Sequence, residues 1–323
     1  MKDVKLEGTK HFIVKELANG VYACIHKPGG GAYSNAGIVD LGDQTIVVDA
    51  FDTMIAGHDL RQTAEVLLGR PVDYLVLTHP HSDHWIGASE FDKMTEFFAS
   101  KKTRQISKIR GTGLVRGYKK RSAWHKKIAK LEKQIQNEKD ERVLVSLENT
   151  LIRDRYTVTE MAEFQPRYAN QTFAEPITFQ GSQRKAELRS LSRGHSEDDA
   201  VLLLPEDKIA FIGDIGFFDT QPFLGFYCDL NLHKKQLHFF LDSYYQILVP
   251  GHGPVGDKEN IRLQLDYLAV MENLVDEVVQ RGGSLKDAQK IMLPEPFDRW
   301  LIGGISRFEI NVRYFYKYLG GKK

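Results

Sequence analysis

Residues 73–84 read DYLVLTHPHSDH: an apolar run, DYLVLT (73–78), passes directly into His79-Pro80-His81-Ser82-Asp83-His84. The first half has the density of a buried strand, and the second gathers three of the chain's 11 histidines and a carboxylate into one short loop. Those histidines therefore fall at the carboxyl end of a core strand, where open α/β sheets place their ligands. In an extended loop, side chains two apart share a direction. His79 and His81 can then bind one ion while Asp83 and His84 turn toward a second site beside it. Imidazole with carboxylate suits Zn, Fe or Mn, and the lack of a nearby thiolate argues against a closed structural zinc site.

Upstream, FIVKEL (12–17), VYACI (21–25), NAGIVDL (35–41) and TIVVDA (45–50) alternate with Asn-Gly, Pro-Gly-Gly-Gly and Gly-Asp turns, the punctuation of an antiparallel meander. A helical pattern from about Thr53 to Leu68 leads into the decisive strand, and TEFFAS (95–100) follows it. From about Lys101 to Arg167 the chain turns polar, with Trp124, Ile128, Leu131 and Ile135, then Leu144, Leu147 and Leu151, at steps of three and four. That spacing predicts amphipathic helices, a hairpin broken near Asn137–Glu141, either packed as solvated helices on the domain or closing as a lid. The strand rhythm resumes with ITF after Pro176, AELRSL (186–191), AVLLLP (200–205), KIAFIG (208–213) and QILVP (246–250). Helical patterns follow near His233–Leu241, Asn260–Val279, Ser284–Ile291 and Arg307–Leu319.

Three more ligand types stand at strand ends beside glycine: Gly194-His195, Gly213-Asp214 and Gly251-His252-Gly253. Glycine there lets the backbone turn tightly and approach a metal while the strand holds the ligand rigidly. Taken singly, each is more often a loop or a turn. Four such elements in one order exclude that reading.

HPHSDH, GHS, GD and PGHG, each after a strand, resemble the metal-binding signature of the metallo-β-lactamase superfamily, over residues 11 to about 253 without the insert. The resemblance implies one metal on His79, His81 and His195, a second on Asp83, His84 and His252, and Asp214 bridging them. It also implies an αββα sandwich with the site at one edge of the two sheets, and makes Asp49 a structural aspartate near the site. The chain, 1–323, accordingly reads as a single α/β domain with a helical insert about 101–167 and a C-terminal helical extension about 257–323.

The function expected is a dinuclear zinc hydrolase, two Zn2+ per chain with Fe or Mn as substitutes, in which a metal-bound hydroxide cleaves an ester-, lactone-, thioester- or amide-type bond, β-lactams included. Two metals about 3.5–4 Å apart can lower the pKa of a shared water toward ~7. Asp83, besides ligating, would orient that water. Many zinc β-lactamases carry a lysine three residues after the position of Asp214; Phe217 stands there instead, which weighs against lactam carboxylate recognition. The alternatives are a mononuclear-iron sulfur dioxygenase, which keeps much of the motif, and a non-catalytic metal-binding module. No phosphate loop or dinucleotide fingerprint occurs, and Gly29-Gly30-Gly31 reads as a mobile hairpin loop beside the metals.

Lys plus Arg at 44 against Asp plus Glu at 43 offers no global field for nucleic acid or an anionic membrane, so a small-molecule substrate is expected. Two cysteines, Cys24 and Cys228, are too few for a disulfide framework. With no signal-peptide pattern and no long apolar stretch, they point to the cytoplasm. A homodimer would form through the insert or the C-terminal helices. The other six histidines (His11, His26, His58, His125, His233, His238) take surface or packing roles. Phe217, Phe218, Phe223, Phe226 and Tyr227 are divided between core and pocket.

Overall fold

The computed structural model describes residues 2–4, 10–225, 227–301 and 307–321. Strands β1 (Lys2–Val4), β2 (Phe12–Ala18), β3 (Val21–His26), β4 (Ala36–Asp40) and β5 (Thr45–Val48) run antiparallel in chain order. They continue in parallel through β6 (Tyr74–Val76), β7 (Glu96–Ser100) and β8 (Gln171–Phe173) as one eight-stranded sheet. The second sheet has β9 (Ile177–Gln180), β10 (Lys185–Ser190), β11 (Ala200–Leu204) and β12 (Ile209–Phe217) antiparallel, closed by β13 (Ile247–His252) parallel to β12. Parallel neighbours need crossovers, and helices supply them. Helix α1 (Met54–Leu68) joins β5 to β6, capped by the Thr53 side chain and ended by Gly69 in the left-handed conformation.

The sheets face each other across Val39, Ile46, Leu202, Phe211 and their neighbours, all buried. The fit is close enough that a Cβ on Gly37 of β4 would stand 2.2 Å from the Phe211 ring of β12. Truncating Phe211 would cost about 3–5 kcal/mol. A second apolar layer packs α1 on the outer face of the first sheet. A third packs α5 (Leu230–Asp242) and α6 (Lys258–Gln280) on the second sheet, with α7 (Leu285–Ala288) and α8 (Arg307–Tyr318) behind them. The architecture is the αββα sandwich.

Between β7 and β8 the chain forms three helices, not a hairpin alone: α2 (Lys101–Tyr118), α3 (Arg121–Asn137) and α4 (Glu141–Glu160). Helix α2 buries only Thr103, Ser107, Gly111 and Tyr118, so it lacks the apolar period that betrays α3 and α4. The insert is anchored. The Glu160 carboxylate accepts hydrogen bonds from Met54 N (2.7 Å) and Ile55 N (2.9 Å), unsatisfied donors at the start of α1. Asn149 of α4 accepts from Gly29 N at 2.9 Å, while Gly31 donates to His11 Nδ1 at 2.8 Å and accepts from Thr53 Oγ1. The glycine run is thus tied on both sides rather than loose. Two further elements differ from expectation. The stretch after Ser284 makes a single capped turn, and β12 continues past Gly213 to Phe217 because a register shift there absorbs the turn.

Candidate metal centre

The loop after β6 carries His79, His81, Asp83 and His84. The link from β10 to β11 carries His195, while Asp214 stands within β12 and His252 ends β13. The fold brings all seven together at one edge of the sandwich, in two groups. His79 Nε2 and His195 Nε2 each lie 3.0 Å from His81 Nδ1 and 3.4 and 3.2 Å from Asp214 Oδ2. His84 Nε2 lies 3.1 Å from the other oxygen, Asp214 Oδ1, and His252 Nε2 lies 3.5 Å from it and 3.3 Å from Asp83 Oδ2. Asp214 therefore offers one carboxylate oxygen to each group.

Local chain geometry makes this approach feasible. A Cβ on Gly251 would stand 1.9 Å from Asp214 Oδ1, and one on Gly194 would strike Gln236, so neither position admits a side chain. Asp49, buried at a positive φ of 58°, accepts from Thr78 N and Thr78 Oγ1, both at 2.8 Å, and lies 2.7 Å from His84 Nδ1. His84 Nδ1 thereby carries a proton toward Asp49, and Nε2 is turned to the cluster.

Charge follows the same division. Burial, reinforced by His84 for His79 and by His79 and His195 for His81, lowers both imidazoles, which keeps them neutral. Burial would raise the Asp83 and Asp214 carboxyls, but the surrounding imidazoles outweigh it and hold both below the usual range. Burial would likewise lower His84, yet Asp214, Asp49 and Asp83 raise it well above its ordinary value. Neutral imidazoles, ionised carboxylates and a point that demands positive charge are what a divalent cation requires. The donor set fits one: His84 Nε2 and Asp214 Oδ1, 3.1 Å apart, are buried and form no hydrogen bond of normal geometry among the described residues, and each group's ligand atoms lie within 4.8 Å of one another.

The sequence profile of the metallo-beta-lactamase superfamily matches residues 29–97, which contain the four-ligand loop. Over that segment the chain is similar to this superfamily. No curated protein sequence matches it. Among solved structures, the metallo-beta-lactamase from Pontibacter korlensis superposes with a TM-score of 0.54 at 19% identity, over 78% of this chain and 96% of that one. FIM-1 from Pseudomonas aeruginosa, in a mono-zinc form, matches at 0.54 and 17%, over 79% and 94%. A double mutant of the sec-alkyl sulfatase PisA1 matches at 0.63 and 15%, over 96% of this chain and 50% of that one. At these identities the likeness is one of fold.

A cleft of about 490 Å³ opens over the candidate ligands. Its walls include residues that single-sequence reading left unassigned: Tyr33 after the glycine run, Arg153 on α4 and Arg307 on α8. Arg153 lay hidden in a charged stretch. A signal did exist, since Ser146, Thr150, Asp154 and Thr157 form a stripe of small polar side chains, all buried, on a helix otherwise rich in long charges. Of the aromatic run, Phe217 stacks on His252 (5.2 Å, 6°), Phe218 joins the core, Phe223 lines the cleft edge-on to His81, and Tyr227 is exposed beneath Arg110. Phe226 lies outside the described residues. His233 belongs to neither ligand group; it is fully buried behind His195, 6.0 Å between ring centroids, between Gln236 and Gln264.

Proposed function

We propose that this chain is a dinuclear zinc hydrolase that cleaves an ester-, lactone-, thioester- or amide-type bond in a small molecule. The observation that carries the reading is Asp214, whose two oxygens face two separate ligand groups and so suit a pair of ions more than one. That split also favours hydrolysis over mononuclear-iron oxidation. Zinc is supported by the nitrogen-rich donor set and by the zinc named for FIM-1.

Two zinc ions bound there would supply hydroxide near neutral pH and polarise the scissile oxygen. The chain's own residues do the rest. His79 and His81, kept neutral by burial, would hold the first ion together with His195, and Asp214 would offer an oxygen to each ion. Asp83 is more open to the cleft than Asp214, 20% against 4% exposed, and is the carboxylate that orients the attacking water. The insert and α8 wall the cleft against bulk solvent, which strengthens each electrostatic contact inside it. Its size suits a small molecule. No helix among the described residues is long and apolar enough to cross a membrane, and both cysteines are buried and free, which supports the cytoplasm.

The test is turnover by the zinc-loaded protein of β-lactam, lactone, thioester and carboxylic ester substrates, with His81→Ala as control and metal content measured. Cleavage of one class that the variant loses supports the reading; two bound metals with no cleavage of any class, or activity kept by the variant, overturns it.

A further inference from the structure

Four cations line the cleft over the ligands: Arg110, Lys127, Arg153 and Arg307. Three have carboxylate neighbours in place. Arg110 pairs with Glu197 through two contacts of 3.0 Å, Lys127 with Asp154 at 2.6 Å, and Arg153 with Asp52 and Asp154 at 3.6 and 3.5 Å. Arg307 differs. It is 95% buried by its 5% exposure, yet no carboxylate among the described residues lies within ion-pair distance of it. Among the described residues its side-chain hydrogen bond is from Nη1 to Gln221 O at 2.9 Å.

The placement of that guanidinium is specific. Its carbon sits 5.6 Å from the Tyr33 ring centroid and 5.1 Å from that of Phe217, while Arg153 covers Tyr33 at 4.6 Å. Tyr33 and Phe217 are two of the rings that contact His252, edge-on at 5.3 Å and stacked at 5.2 Å. Arg307 is therefore one aromatic layer from the Asp83–His84–His252 group, in the wall of the same cleft. Aromatic faces hold a guanidinium without discharging it and leave its in-plane donors for a forked acceptor.

We infer that Arg307 is the anion-recognition residue of this site, and that the substrate carries an oxyanion, carboxylate or sulfate, close to the bond that is cleaved. The anion takes the fork of Arg307 in the cleft wall, beside the His252 ligand group, while the reacting group lies over His79, His81 and His195. Arg153, already paired, lies over the Tyr33 ring and positions that ring rather than binding the anion. This rests on the proposed hydrolytic reading for the reacting group only; the anion site itself stands on Arg307 and can be read without turnover.

The experiment is calorimetric titration of the zinc-loaded full-length protein with propionate and with sulfate, using wild type, Arg307→Met, Arg307→Lys and Lys127→Gln, each checked by thermal unfolding. Arg307→Met should weaken at least one anion about tenfold or more, the loss expected when a charged hydrogen-bonding partner is removed. Arg307→Lys should retain part of the affinity, and Lys127→Gln should remain within about twofold because Asp154 already neutralises Lys127. Arg307→Met should still fold and melt cooperatively, at a cost of the order of its lost hydrogen bond to Gln221 O, since the charge removed has no carboxylate partner among the described residues. Whichever anion suffers the larger loss names the substrate's group. Equal affinities in wild type and Arg307→Met for both anions would overturn the inference, and so would a collapse of fold in both Arg307 variants, which would make the residue a strut for α8. Loss of anion binding with no turnover anywhere would leave this site standing and sink the hydrolase instead.

Discussion

The carboxylate of Asp49 lies 2.7 Å from Nδ1 of His84 and holds that ring by accepting a hydrogen bond from it. Neither residue reaches the pair by side-chain choice alone: Asp49 sits at φ 58°, and Thr78 occupies its remaining lone pairs. Asparagine tolerates the same backbone region, so Asp49→Asn changes charge and not the chain. We expect it to weaken zinc binding about 10–100-fold, as the loss of a carboxylate behind a ligating histidine does. Competition with a chromophoric chelator measures this; unchanged affinity would show that His84 is oriented without Asp49.

Gly251→Ala should be costlier than its size suggests. The added Cβ would stand 1.9 Å from Asp214 Oδ1, and the oxygen that must yield is the one facing His84 and His252. The expected outcome is a protein that folds but binds one zinc where wild type binds two, read by metal analysis after gel filtration. Two tightly held zincs in the variant would contradict the bridging geometry.

Chelation should lower thermal stability. A ligand at about 1,000 times its dissociation constant stabilises the folded state by about 4 kcal/mol, and for a chain of this size that is on the order of 10 °C. Melting with excess EDTA and with added zinc makes the comparison, and coincident transitions would speak against any metal bound at these residues.

His233 makes stability fall on acidification. Burial first, then the neighbouring His195, lowers its pKa to about 4, from 6.5 in the unfolded chain. The unfolded state therefore binds a proton that the folded state refuses, and stability is lost as pH falls from about 6.5 toward 4. His233→Asn should flatten that slope by on the order of 3 kcal/mol at most across the window, whatever its effect at pH 7.5. Urea unfolding at pH 7.5 and 4.5 measures it. An identical slope in the variant would mean that other groups dominate.

Much of the metal centre is legible in one sequence because its causes are local. Ligand chemistry depends on residue type, side-chain direction in an extended loop follows the strand period, and Gly194, Gly213 and Gly251 mark where the backbone must come close. His79, His81, Asp83, His84, His195, Asp214 and His252 could all be named that way, as could the two strand-rich halves of the sandwich. Helix α2 could not be drawn as firmly, because it packs through Thr103, Ser107 and Gly111 and carries no apolar stripe.

Tertiary structure gave the expected sharing of Asp214 its geometry, one oxygen to each group, and alone decided the composition of the cleft wall. Tyr33, Arg153 and Arg307 come from a loop, the insert and the last described helix, and no local pattern distinguishes Arg307 from the other arginines of the chain. It acquires its character only when packing removes it from water, stacks it between Tyr33 and Phe217, and leaves it without a carboxylate among the described residues. Burial and the absence of a partner are properties of the assembled fold, since both depend on what residues far apart in the chain do to one another's solvent and charge.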